Sequence, residues 1–178
     1  ELPLPVSEAL LVVHPFADEI AVLAKARELA REVAGKVQAC VALDRPLAYV
    51  YAWCERTAAR AGAQRLAPIG KWRGASAGQA APYHYVVATD VEAGWDDELN
   101  AWYQQEHMPG LAAVPGNVGC ARLRSLDGAP RYHACYDLVS PEVLQRPEWL
   151  AVRHTEWSSR VRPHFRNTLR IMFRTVLA

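Results

Sequence analysis

The chain has 178 residues, 51% of them hydrophobic and 22% charged, with a formal net charge of +1. Such a composition fits a globular protein and argues against long disorder, and the balanced charge gives no reason to expect a nucleic-acid or membrane-surface partner. No apolar run reaches the roughly 20 residues needed to span a bilayer, Glu1–Pro5 lacks a signal-peptide pattern, and Cys40, Cys54, Cys120 and Cys135 show no CxxC spacing. A cytoplasmic protein with reduced core thiols is the expectation.

The first apolar run, Ala9 to Val13, reads as a buried strand ended by His14-Pro15. A helix is predicted from about Asp18 to Ala34, because Val22, Ala26, Leu29, Ala30 and Val33 recur at helical spacing and Asp18 and Glu19 suit its first turn. Val37 to Leu43 and Leu47 to Trp53 are strand-like, joined by the short turn Asp44-Arg45-Pro46. Ala-rich sequence after them predicts a second helix to about Gly62, then a strand from Arg65 to Trp72. Residues 74–82 (GASAGQAAP) have the composition of a linker.

The order then begins again. Tyr83 to Thr89 predicts a strand, Trp95 to about His107 a helix stopped by Pro109-Gly110, and Asn117 to Ser125 with Arg131 to Leu138 a hairpin around Asp127-Gly128. Helical sequence follows from Pro141 to about Val161, and Leu169 to Leu177 is a last strand with alternating Arg170 and Arg174. Both halves read β-α-β-β-α-β, the split pattern of ferredoxin-like folds. The expected fold is α+β: a first half over 1–73, a linker over 74–82 and a second half over 83–178, their sheets opposed as one pseudo-dimeric barrel around a small-molecule pocket. One chain then suffices for the barrel, and a homo-oligomer is open.

The densest chemical signal is Trp95-x3-Leu99-x2-Trp102-Tyr103-x2-Glu106-His107-x-Pro109. On an α-helix Trp95, Leu99, Trp102 and Glu106 fall on one stripe within about 60° of each other, with His107 on its margin beside Tyr103. An interior carboxylate tends toward a raised pKa, and a histidine at a helix C-terminus tends to keep its proton, so the pair suits acid/base work. The plain alternative is a Glu that bonds a neighbour and a His that caps its helix.

A second cluster, Arg153, His154, Arg160, Arg162, His164 and Arg166, fits either an anionic ligand or a solvated face. Trp149 and Trp157 read as core. On the strand after Asp127-Gly128, His133 and Cys135 share one face, and Tyr132 and Tyr136 the other. No spacing indicates a metal, nucleotide or flavin site, and no cofactor is expected.

The stretch from Asp90 through Trp102-Tyr103, Glu106-His107-Met108-Pro109, Val114-Pro115-Gly116, Arg122 and Pro130-Arg131-Tyr132 resembles the dimeric α/β-barrel superfamily, in its EthD-like branch. The likeness covers residues 83–178; the first half shares only the order of elements. The resemblance implies a fused barrel with one intact and one degenerate pocket, and His107 as the catalytic position. It implies a cofactor-independent enzyme acting on an aromatic, polyketide-like or lactone substrate, as a lyase, isomerase or monooxygenase. His107 then moves a proton, Glu106 or Tyr103 positions it, and Trp95, Trp102, Tyr132 and Arg122 bind the substrate. A non-catalytic ligand-binding module is the rival, and heme handling through His107 or His164 a third reading.

Overall fold

A computed structural model describes residues 8–15 and 18–178. Strands β1 (Glu8–Pro15), β2 (Lys36–Ala42), β3 (Leu47–Cys54) and β4 (Gln64–Arg73) come from the first half of the chain. Strands β5 (Tyr83–Val91), β6 (Asn117–Ser125), β7 (Tyr132–Leu138) and β8 (Phe165–Leu177) come from the second. They close into one barrel in the order β1-β3-β2-β8-β5-β7-β6-β4, with every pairing antiparallel. Read as β4-β1-β3-β2 and β8-β5-β7-β6, each set of four has the fourth-first-third-second order of a ferredoxin-like sheet. The seams are β2 with β8 and β4 with β6, so a single chain removes all sheet edges.

Alternation along the strands divides the apolar residues between two faces. Leu11, Tyr49, Tyr51, Leu66, Val86, Leu123, Ile171 and Phe173 point inward and fill the barrel. His133 and Cys135 point inward too, opposite to Tyr132 and Tyr136, as the alternation predicts. Among the described residues, the space between the sheets is therefore filled rather than hollow. This corrects the expectation of a barrel built around its pocket: side chains as large as tyrosine and phenylalanine occupy that space.

Helix α1 (Glu19–Glu32) is capped by Asp18, whose carboxylate accepts from the Ala21 amide at 2.8 Å. It lays Val22, Ala26 and Leu29 on the outer face of β1, β2 and β3, against Leu10, Val12, Ala39 and Val50. This outer core is wholly aliphatic. The second helix predicted before Gly62 is absent: residues 55–63 form bends and turns. Ala-rich composition suggested a helix there, but Cys54 to Ala63 offers no repeating apolar face to hold one.

The second half carries more on its outer face. Helix α2 (Asp96–Trp102) runs into a π-turn over Tyr103–His107 and then into α3 (Met108–Ala112). Pro109 thus does not stop the helix. It sits in the first turn of α3, where its missing N–H leaves no hydrogen bond unmade. Helices α4 (Pro147–Arg153) and α5 (Glu156–Val161) complete the layer over β5 and β7. Residues 74–82 are tied down: the amides of Gly74, Ala75 and Ser76 donate to the carbonyls of Val118, Ala112 and Asn117.

Candidate functional site

The π-turn decides which side chain of Glu106-His107 faces inward. At its end the Met108 amide donates to the Tyr103 carbonyl five residues back, where an α-helix spans four. One extra residue per turn carries His107, rather than Glu106, onto the stripe of Leu99 and Trp102. Both of those neighbours are buried, and His107 itself is 9% exposed. Its imidazole stacks on the Trp102 indole at 4.2 Å between centroids and meets the Tyr103 ring edge-on at 5.5 Å.

These three rings bound a cavity of about 40 Å³ between the helices and the outer face of β5, β7 and β8. Tyr85, Val87 and Tyr136 form its floor, Leu111, Trp149 and Phe165 its sides, and Arg153, Arg162 and Arg170 its polar rim. Arg153 ends α4, Arg162 follows α5, and Arg170 stands on β8 opposite Val87. Among the described residues, none of the three guanidinium groups is paired with a carboxylate. Burial lowers the pKa of Arg162, and the charges of Arg153 and Arg170 lower it further.

The same two effects act on the imidazole. Burial first, then the charges of Arg162, Arg153 and Arg122, push the pKa of His107 down to about 3. The ring is neutral at pH 7, the opposite of the helix-end bias expected from sequence. The helix does not end there, so its dipole offers the ring no help. Nδ1 is buried without a partner, and Nε2 forms no hydrogen bond within the described residues. Burial also raises the Tyr103 phenol to about 12, the nearby Arg122 opposing it.

The residues named from sequence separate into three groups. His107, Tyr103 and Trp102 line the cavity. Tyr132 and Arg122 lie on the far side of Tyr103, in a separate groove: the Arg122 guanidinium stacks over the Tyr103 ring at 4.2 Å, and the Tyr132 hydroxyl donates to Asp96 at 2.6 Å. Glu106 and Trp95 line neither. Glu106 accepts the Thr155 hydroxyl at 2.8 Å, joining the π-turn to the start of α5, and Trp95 stacks on His164 at 3.5 Å. Sequence reading missed Arg170, Tyr85 and Phe165. The alternation of Arg170 with inward-facing Ile171 and Phe173 was the available signal, since it puts that arginine on the helix-covered face.

No protein-family model and no curated protein matches the sequence at a significant level. Solved structures do match, over nearly the whole chain. A monooxygenase-like protein from Listeria innocua superposes with a TM-score of 0.65 at 8% identity, over 96% of this chain and 94% of that one. An anthrone oxidase-like protein gives 0.64 at 13% identity, over 96% and 91%. The heme-degrading enzyme of Listeria monocytogenes gives 0.62 at 9%, over 93% and 98%. At these identities the likeness is one of fold: the chain has the architecture of the dimeric α/β-barrel proteins, closed here by one polypeptide.

The site does not fit heme. Its cavity is far smaller than a macrocycle, and the His107 ring is packed against Trp102 on one face and Tyr103 edge-on. His164 is occupied as well, accepting the Trp95 stack and pairing with Glu92 at 3.0 Å. Among the described residues no group of three His, Cys, Asp or Glu side chains could hold a metal ion, and no helix is long and apolar enough to cross a membrane.

Proposed function

We propose that this chain is a cofactor-independent enzyme of the EthD-like branch, moving a proton on a small anionic aromatic, polyketide-like or lactone substrate. One observation carries the reading: a buried imidazole whose Nδ1 has no hydrogen-bond partner lies behind three arginines that no carboxylate among the described residues neutralises. In this reading His107 is the base. It takes a proton from an acidic carbon or hydroxyl, the C–H or O–H electron pair stays on the substrate, and the resulting enolate or phenolate is held by Arg153, Arg162 and Arg170. The proton then returns at another atom, or the carbanion expels a leaving group or reacts with dioxygen.

The arginines explain how so weak a base becomes useful. Burial, and after it their charges, holds the imidazole unprotonated, and a bound anion offsets those charges and raises its basicity when substrate arrives. The cavity admits only the reacting end of such a molecule; the rest enters as the long arginine side chains at the rim move aside. We place the enzyme in a reducing compartment, the cytoplasm, because its four cysteines are unpaired. The two halves are proposed to be fused repeats with the divide at 74–82. Among the described residues the outer core of the first half is aliphatic, unlike the ring-lined cavity of the second.

The test is a panel of aryl carboxylates, hydroxyaryl ketones and lactones, scored by thermal shift and then by turnover. A hit that is salt-sensitive, weakened in Arg162→Ala and unturned by His107→Ala supports the proposal. Turnover that survives His107→Ala in a folded protein overturns it. The small cavity favours a second reading, a non-catalytic binding module, which predicts Arg162-dependent binding with no turnover of any hit.

A further inference from the structure

The groove on the other side of Tyr103 has a volume of about 350 Å³, at the lower end of the range for small-molecule sites. It opens over the β4–β6 seam, beside α2, where the first half has no second helix to cover the sheet. Ile69 of β4 and the Tyr132 ring supply apolar walls, and Asn100, Gln104 and Arg124 supply polar ones. At its inner end stands Arg122, only 2% exposed.

Arg122 is an anomaly as a structural residue. A buried guanidinium is normally paired and hydrogen-bonded, because removing its charge from water costs several kcal/mol. This one has no carboxylate partner among the described residues. It is fixed by one hydrogen bond, from Nη1 to Asn100 Oδ1 at 2.8 Å, and by the faces of Tyr103 and Tyr132 at 4.2 and 5.5 Å. Nε and Nη2 have no partner among the described residues. Asp96 on α2 is taken up by the Tyr132 hydroxyl and by Arg131. The groove therefore has two arginines, amide donors and no carboxylate among its lining residues.

We propose that this groove is a second ligand site, distinct from the His107 cavity, for a small organic carboxylate whose anionic end is received by Arg122 and whose apolar body lies along Ile69 and Tyr132. Side-chain adjustment brings the unpartnered guanidinium N–H groups onto the carboxylate, and Arg124 at the mouth adds a second charge. Tyr103 lines the His107 cavity and carries the Arg122 guanidinium on its ring, so occupancy of the groove reaches that cavity through the stack.

Benzoate, with benzamide as its uncharged counterpart, is the probe, titrated while the arginine side-chain N–H signals are followed by NMR. Benzoate is expected to shift the Arg122 Nε–H signal saturably, and benzamide to leave it unmoved. Arg122→Met should weaken benzoate at least tenfold, and so should Gln104→Trp, a change at an exposed position that fills the groove without touching the core. His107→Ala and Arg162→Ala should leave this binding intact, which separates it from the fate of the catalytic proposal. Absence of saturable binding, equal binding of benzamide, or binding indifferent to Arg122→Met and Gln104→Trp each overturns the second site.

Discussion

The His107 imidazole rests on the Trp102 indole, centroids 4.2 Å apart and planes 27° apart, although the two residues are five positions apart on a helix. Only the π-turn allows that contact. It also buries a titratable ring without a partner for Nδ1, which makes the fold sensitive to acid.

His107 and His133 both have folded-state pKa values below the ordinary histidine value, at about 3 and about 4, chiefly because each is buried. Between those values and about 6.5 the unfolded chain binds more protons than the folded one. Stability is then fully present above pH 6.5 and falls as pH drops, by up to roughly 1.4 kcal/mol per histidine for each step of one pH. Chemical denaturation from pH 7 to pH 4 should show this loss. Histidine NMR should show the His107 ring still neutral at pH 5, and a ring already charged there would contradict its burial.

The opposite slope is expected in alkali. His84 on β5 lies between Asp137 on β7, 2.9 Å from its Nδ1, and the Tyr51 hydroxyl on β3, 3.1 Å from its Nε2. Burial alone would lower its pKa, but the Asp137 hydrogen bond and Cys135 outweigh it and raise it to about 10. Here the folded state holds the extra proton, so the contribution is complete below pH 6.5 and is lost as pH rises toward 10. Asp137→Asn should destabilise the protein at pH 7 and flatten its decline between pH 7 and pH 10. A decline equally steep in the variant would remove His84 as its cause.

Glu106 and His107 adjoin in sequence but should separate in assay. Once a turned-over ligand is in hand, His107→Ala should reduce kcat by about 10² to 10⁴, the usual worth of a positioned base. Glu106→Gln retains an oxygen to accept the Thr155 hydroxyl and should leave kcat within a few-fold. A comparable collapse in both variants would mean that the carboxylate acts on the reaction itself.

The strands were legible because alternation is a local property, and His133 and Cys135 could be placed on one face and Tyr132 and Tyr136 on the other before any coordinates; which face turns into the barrel is set by tertiary packing. The site was legible as a segment and misread as a surface. Helical-wheel geometry assumes one hydrogen-bond span throughout, and a single inserted residue within Tyr103–His107 exchanges Glu106 for His107 on the buried stripe. Pro109 was read as a terminator because its local effect is the same whether a helix stops or a new helical turn starts. Arg153, Arg162 and Arg170 converge from α4, from the residues after α5 and from β8, a meeting that only tertiary packing creates. The second helix of the first half failed for the converse reason: Ala-rich propensity without an apolar face gives a helix nothing to pack against.

The turn after α3 offers a test of packing that is independent of function. Gly116 has φ +98°, and a Cβ there would clash with Val143 Cγ2. Its carbonyl accepts the Val139 amide, and its own amide donates to Ser76 Oγ, so the backbone has little freedom to retreat. Gly62 has φ +78° with nothing within 4 Å of the equivalent position. Gly62→Ala should therefore cost only left-handed strain, about 1–2 kcal/mol. Gly116→Ala should add overpacking of roughly 1–3 kcal/mol to a similar strain. Urea denaturation of the two variants side by side measures the difference, and equal losses would show that the Val143 contact relaxes freely, leaving backbone conformation as the whole effect.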